Sequence, residues 1–138
     1  MRQAFHTLNI TTRQKGLINI TASVEDWVAE TGIETGLLTL WCRHTSASLT
    51  VQENADPTVL RDIEAYFDDL VPETRHYQHD YEGADDMPAH LRSLLTNTQL
   101  SLPVRDGRTV LGTWQGLYLF EHRRRPHQRQ IVLHLMGD

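Results

Sequence analysis

The segment His79-Asp80-Tyr81-Glu82-Gly83-Ala84-Asp85-Asp86-Met87-Pro88-Ala89-His90 sets two imidazoles around four carboxylates. Side chains of these types hold divalent metals or pass protons to and from a reacting group. Acids at this density are not expected in a core, because a buried carboxylate without a partner is strongly unfavourable. Gly83 and Pro88 also interrupt any solvated helix. The expectation is a loop that carries a site, with the rest of the chain bringing other polar groups to it, above all His44. The candidate metal ligands or acid–base groups are therefore His44, His79 and His90, with Asp80 and Asp85 beside them. No His-Glu-x-x-His and no cysteine pair is present, so the spacing matches no compact zinc motif. Surface histidines on a loop and a helix are the plainer alternative.

Four further stretches carry groups of chemical interest. Ser46 and its neighbours Thr45 and Ser48 follow His44, but adjacent strand residues point apart and there is no Gly-x-Ser-x-Gly elbow. These hydroxyls suit hydrogen bonding to an anion or a neighbouring strand better than nucleophilic attack. Glu53 and Asn54 offer a carboxylate and an amide to orient a substrate, whereas Asp56 before Pro57 has the pattern of a helix N-cap. Gly112-Thr113-Trp114-Gln115-Gly116, leading to Glu121, would let the backbone approach a ligand with the Trp114 indole stacked on a ring. A kinked strand with a buried Trp would leave the same pattern. Arg123-Arg124-Arg125 matches phosphate in geometry, although a solvated turn is the commoner meaning of such a run.

The elements that position these groups follow from periodicity and turn signals. A chain of 138 residues with 39% hydrophobic residues is expected to form one domain over residues 1–138. A net charge of −5 does not suit coating a nucleic acid, and no apolar run suggests a membrane span or a signal-peptide core. The single cysteine, Cys42, rules out an internal disulfide framework, and a cytoplasmic location is expected. Strands over 3–12 and 17–21 are predicted to pair as a hairpin across Lys15-Gly16. A helix from Ser23, its cap, to Thr31 ends at Gly32, and the apolar run 36–44 should be central in a sheet. Asp56-Pro57 opens a helix to about Leu70 with Val59, Leu60, Ile63, Phe67 and Leu70 on one face. A third helix runs from Asp86 or Met87-Pro88 to about Leu95, with His90 in its first turn or so. Strands over 99–104, 108–114, 117–122 and 130–135 are predicted to form a β-meander, with Asp106-Gly107 as a hairpin turn. The fold class is α+β and mostly antiparallel, with three helices against the sheet system.

His44-Thr45-Ser46-Ala47-Ser48-Leu49, Glu53-Asn54-Ala55-Asp56-Pro57, Tyr77-Gln78-His79-Asp80, Ala84–His90 and Gly112–Gly116 together resemble the YjbQ-type family, often described as secondary thiamine-phosphate synthases. The likeness runs nearly end to end, with one departure at Thr96-Asn97, where the family commonly has a glycine. The resemblance implies an α+β unit built around a β-sandwich and assembled as a homotrimer. It implies a polar pocket in which His44, His79 and His90 hold a divalent metal. Histidines favour zinc, and the surrounding acids would accept magnesium or calcium. The implied activity joins a pyrimidine diphosphate to a thiazole phosphate with loss of pyrophosphate, so the partner is a small phosphorylated metabolite. On this reading His44, His79, His90, Glu53 and Asn54 serve catalysis, and Ser46, Asp80, Asp85, Trp114, Gln115 and Glu121 contact substrate. A non-catalytic module that binds a metal or small ligand for sensing or structure is the alternative from a different class.

Overall fold

The computed structural model describes every residue from Met1 to Asp138. The elements in chain order are β1 (Arg2–Thr12), β2 (Gly16–Asn19), α1 (Thr21–Thr31), β3 (Thr35–Cys42), β4 (Ala47–Glu53), α2 (Pro57–Leu70), α3 (Asp86–Leu95), β5 (Gln99–Arg105), β6 (Arg108–Thr109), β7 (Gln115–Glu121) and β8 (His127–Gly137). Every strand pair is antiparallel. They build a five-stranded sheet in the order β1-β8-β3-β5-β6 and a three-stranded sheet in the order β2-β7-β4. The fold is thus α+β around a β-sandwich. No helix is long and apolar enough to cross a membrane.

Strand alternation makes the sandwich. Leu38, Leu40 and Cys42 of β3, Leu102 and Val104 of β5, and Ile131, Leu133 and Leu135 of β8 point inward from the large sheet. Ala47 and Leu49 of β4 and Leu117 and Leu119 of β7 meet them from the small sheet, and Val24, Trp27 and Val28 of α1 join the same core. Residues two apart share a face of a strand, so each of these runs presents one continuous apolar surface. Strand β7 is buried on both faces: Tyr118, Phe120 and the following His122 point away from the sandwich core. Phe67 of α2 packs edge-on against Phe120 at 5.5 Å between ring centroids. The helical layer of α2 and α3 therefore lies over the small sheet, and α3 contacts β4.

Several expectations hold and others give way to tertiary pairing. Strand β3 is the middle strand of the five. Asp56 caps α2 through its side chain, accepting from the Thr58 N–H at 2.9 Å, and Pro57 occupies the first turn. Gly32 ends α1 with φ 71°, a left-handed conformation that glycine adopts without a Cβ clash. Asp106 and Gly107, both at positive φ, turn β5 into β6. The first two strands, however, do not form a hairpin: β1 pairs with β8 and β2 with β7, in different sheets. The C-terminal strands are no meander either, because β7 joins the small sheet and β8 inserts between β1 and β3. Helix α1 begins at Thr21, two residues before the expected Ser23 cap, and has no side-chain cap. In each case local pattern specifies a strand or helix correctly and cannot specify its long-range partner.

The outer face of the large sheet is unusual in composition. Its outward side chains include Phe5, Leu37, Thr39, Trp41, Ser101, Pro103, Val132 and His134. Apart from Arg105 and Arg108 at the rim, none of them carries a charge. Phe5 and His134 stack there at 4.3 Å between centroids.

Candidate functional site

The acidic–histidine loop and the first turns of α3 bring together His79, Asp86 and His90. One ligating atom from each lies within 4.8 Å of the other two. The His79 Nε2 atom is 2.7 Å from Asp86 Oδ2 and 3.0 Å from Glu82 Oε2, and His90 Nε2 is 3.3 Å from the same Asp86 oxygen. Asp86 and His90 are four residues apart on α3, a spacing that stacks their side chains on one helix face. His90 sits in the second turn of that helix and not in the first.

The outer atoms of Asp86 and His90 are held from behind. Asp86 is buried, and its Oδ1 accepts from Arg123 Nη1 at 2.7 Å, which leaves Oδ2 for the two histidines. The His90 ring donates from Nδ1 to the Thr45 carbonyl at 3.1 Å, so that Nε2 carries a free lone pair when the ring is neutral. Burial works to raise the Asp86 carboxyl, but the hydrogen bond from His79 and the charges of His90 and Arg123 outweigh it and hold Asp86 below the usual carboxylate range. Asp85 is clamped beside it: Oδ2 accepts the Arg124 backbone N–H at 2.8 Å and lies 3.3 Å from Arg123 Nε. The acids of this loop are therefore not all solvated. Asp85 and Asp86 enter the interior because Arg123 accompanies them: the first residue of the arginine run, read from sequence as a solvated turn or a phosphate grip, is their counter-ion, while the Arg124 side chain pairs with Glu73.

A second buried pair steadies the other side. Glu121 has no exposure, and its oxygens accept from Arg129 Nε at 2.8 Å, the Thr12 hydroxyl at 2.6 Å and the Arg123 backbone N–H at 3.1 Å. Arg129 Nη2 donates onward to the Ser46 carbonyl at 3.1 Å and hydroxyl at 3.0 Å. Ser46 neighbours Thr45, whose carbonyl holds His90. Glu121 and Ser46 were expected to contact substrate; the structure places both in the support beneath the histidines.

His44 stands apart from the cluster of three. Its Nε2 accepts the Gln130 backbone N–H at 2.8 Å, so the neutral ring carries its proton on Nδ1. Burial, aided by the Arg129 charge, pushes this imidazole below its ordinary value. His44 and His90 line a common cavity of about 580 Å³ with Trp41, Arg43, Thr45 and Leu94. Asp80 is exposed and lines a smaller cavity of about 260 Å³ with His79 and Tyr77. The remaining expected site residues collect at the opposite end of the small sheet. Glu53 pairs with Gln115 at one end of the β4–β7 ladder, whereas Ala47 pairs with Glu121 at the other. Seven strand residues separate those ends by about 20 Å. There the Asn54 backbone N–H donates to the Trp114 carbonyl at 3.0 Å and its Nδ2 to the Gln115 carbonyl at 3.3 Å. The Gln115 side chain closes its own turn by accepting the Gly112 N–H at 2.8 Å. Trp114 is 64% exposed on this braced loop.

One buried imidazole serves neither end. His122 is 1% exposed, its Nε2 lies 2.8 Å from the Ser48 hydroxyl, and its Nδ1 has no partner. Burial, with the charge of Arg92 next, pushes it down to about 3. The unfolded chain binds a proton here near 6.5 while the folded chain does not, so stability is full above that value and falls as pH drops toward 3. At pH 5 the loss is expected to be about 2 kcal/mol relative to pH 7.5. Chemical denaturation of His122→Gln at the two pH values checks it: a slope as steep as that of wild type would assign the acid sensitivity to other groups.

Asp86, Arg123 and the Thr45 carbonyl were missed from sequence as parts of the site. For Asp86 a signal was present, since Asp-Met-Pro-Ala-His is an i, i+4 carboxylate–imidazole pair on a predicted helix.

The chain matches the family model described as UPF0047 protein YjbQ-like over residues 6–138. It is 51% identical over 138 residues to a UPF0047 protein of Synechocystis, covering 99% of this chain and 94% of the relative. It is 47% identical over 133 residues to the UPF0047 protein YjbQ of Salmonella typhimurium, covering 96% of each. A crystal structure of a YbjQ-like protein of unknown function from Sulfolobus solfataricus superposes with a TM-score of 0.88 at 26% identity, covering 99% of this chain and 100% of that one.

Proposed function

The chain belongs to the YjbQ-like UPF0047 family, and on that footing we propose that it is a small metal-assisted enzyme acting on a phosphorylated metabolite. The reaction we assign is the one the resemblance implies, union of a pyrimidine diphosphate with a thiazole phosphate and release of pyrophosphate. The observation that carries this reading is the convergence of His79 Nε2, His90 Nε2 and an Asp86 oxygen within 4.8 Å, with the far sides of His90 and Asp86 held by the Thr45 carbonyl and Arg123.

Two imidazoles and one carboxylate, from His79, His90 and Asp86, make a donor set that would suit zinc. Magnesium and calcium prefer oxygen ligands and suit it less well. When bound, such an ion supplies positive charge to the oxygens of a departing pyrophosphate. The chain's own residues do the positioning. Arg123 keeps Asp86 ionised and turns one oxygen toward the histidines. The Thr45 carbonyl keeps the His90 proton on Nδ1. His44 carries its own proton on Nδ1, away from the atom that accepts Gln130, and so has a donor to offer in the shared cavity. Assembly as a homotrimer is supported by the nearly charge-free outer sheet face, and a cytoplasmic location by the free thiol of Cys42.

The test is steady-state release of pyrophosphate from the two named substrates. Multiple turnover is expected, lost on chelation and restored by zinc. Turnover that persists unchanged in thoroughly chelated protein would remove the metal from the reading. Stoichiometric metal with no turnover would instead identify a binding module.

A further inference from the structure

We propose that Glu82 is a fourth protein donor to the ion held by His79, Asp86 and His90. The inference rests on that cluster being a metal centre, and it adds a ligand that neither the residue pattern nor the resemblance assigns.

The His79 Nε2 atom faces two carboxylates, Asp86 Oδ2 at 2.7 Å and Glu82 Oε2 at 3.0 Å. The ring has a single N–H to offer at that atom, and the hydrogen bond goes to Asp86. The Glu82 oxygen is thus turned toward the place where the three ligating atoms converge, and a divalent cation there satisfies both acids at once. Charge points the same way. Asp86 is already balanced by Arg123 Nη1 at 2.7 Å, so an ion held by Asp86 and two neutral imidazoles keeps positive charge uncancelled. Glu82 pairs with no lysine or arginine, and its ion-pair contact is with His79 alone. Once an ion occupies His79 Nε2, the Glu82 carboxylate must either bind that ion or turn away to water.

The main chain at Glu82 is fixed for the first of these. Its carbonyl accepts Arg123 Nη2 at 3.0 Å, from the same guanidinium that holds Asp86. The Asp86 N–H donates to the Gly83 carbonyl at 3.2 Å, closing the turn between them. Gly83 makes that turn at φ 112°, where a Cβ would also stand 3.2 Å from Asp85 Oδ1. The Glu82 side chain is 56% exposed, so it reaches the cluster from solvent, whereas Asp86 reaches it from the interior.

The test uses zinc affinity by chelator competition and the visible spectrum of the cobalt-loaded protein, for wild type, Glu82→Ala, Asp80→Ala and Asp86→Asn. Asp80 is the matched control, an exposed acid of the same loop that stands outside the converging group. Glu82→Ala is expected to weaken zinc about tenfold or more and to change the cobalt bands, because the ion loses a donor. Asp80→Ala should change neither by a comparable amount. Glu82 being exposed, its replacement should leave the melting temperature of the metal-free protein unmoved. A cobalt spectrum in Glu82→Ala identical to that of wild type would overturn the assignment, even with weakened zinc, since Glu82 would then act only through its charge. In that case Asp86→Asn still loses the metal, and the centre of three stands without Glu82. A wild-type protein that takes up neither zinc nor cobalt would instead overturn the metal reading and this ligand with it.

Discussion

Asp86→Asn is expected to strip the protein of bound zinc while leaving it folded, and His79→Ala and His90→Ala are expected to do the same. Asparagine is nearly isosteric with aspartate and can still accept from Arg123, so the change removes the anionic ligand without opening the fold. Loss of any of the three should lower zinc affinity by more than the roughly 10–100-fold expected when an outer hydrogen-bond partner is removed. Arg123→Met belongs to that milder class, because Arg123 touches Asp86 Oδ1 and not the converging atoms. His44→Ala should be milder still, since its Nε2 is occupied by the Gln130 N–H. Elemental analysis of the five purified variants decides the matter. Full zinc in Asp86→Asn, or a loss in His44→Ala as complete as in His90→Ala, would show that the cluster is not the metal centre.

The second large effect concerns stability. Glu121→Gln or Arg129→Met leaves one member of a fully buried ion pair unpaired, which costs about 3–5 kcal/mol. For a domain of this size that is a fall in Tm of roughly 10–20 °C. The double replacement Glu121→Met with Arg129→Met should recover much of the loss, because an apolar pair of similar volume carries no desolvation penalty. It should not recover zinc affinity, since Ser46 then loses both hydrogen bonds from Arg129 and the Thr45 carbonyl under His90 is freed. Thermal melts and zinc titrations on the four proteins separate the two consequences. A double variant less stable than either single one would refute the account of the pair. Burial opposes ionisation of Glu121, but Arg129, the Thr12 hydroxyl and the Arg123 N–H outweigh it and lower its pKa. Its contribution is therefore present above the ordinary carboxylate value and is lost as pH falls through the lowered one.

Much of this was legible in the sequence, and the part that was not has one physical origin. Periodicity located the apolar strand over β3, the half-buried face of α2 and the start of α3, and turn chemistry located Asp56-Pro57, Gly32 and Asp106-Gly107. These features are set by residues within a turn or two of one another, so the linear order contains them. Residue types alone also marked the loop from His79 to His90, where the structure gathers His79, Asp86 and His90. Which of its groups converge depends on contacts across the chain. Arg123 reaches Asp86 over 37 positions, Thr45 reaches His90 over 45 and Arg129 reaches Ser46 over 83. No local pattern encodes such pairings, because a side chain's environment is fixed only when its strand has chosen a sheet. That choice put β2 and β7 in one sheet and β1 and β8 in the other, and so undid the expected hairpin and meander. It also carried Glu53, Asn54, Trp114 and Gln115 to one end of the small sheet and the histidines to the other. The sequence by itself determined the elements and the chemical inventory; the tertiary structure decided which acids could be buried, by supplying the arginines that make their burial tolerable.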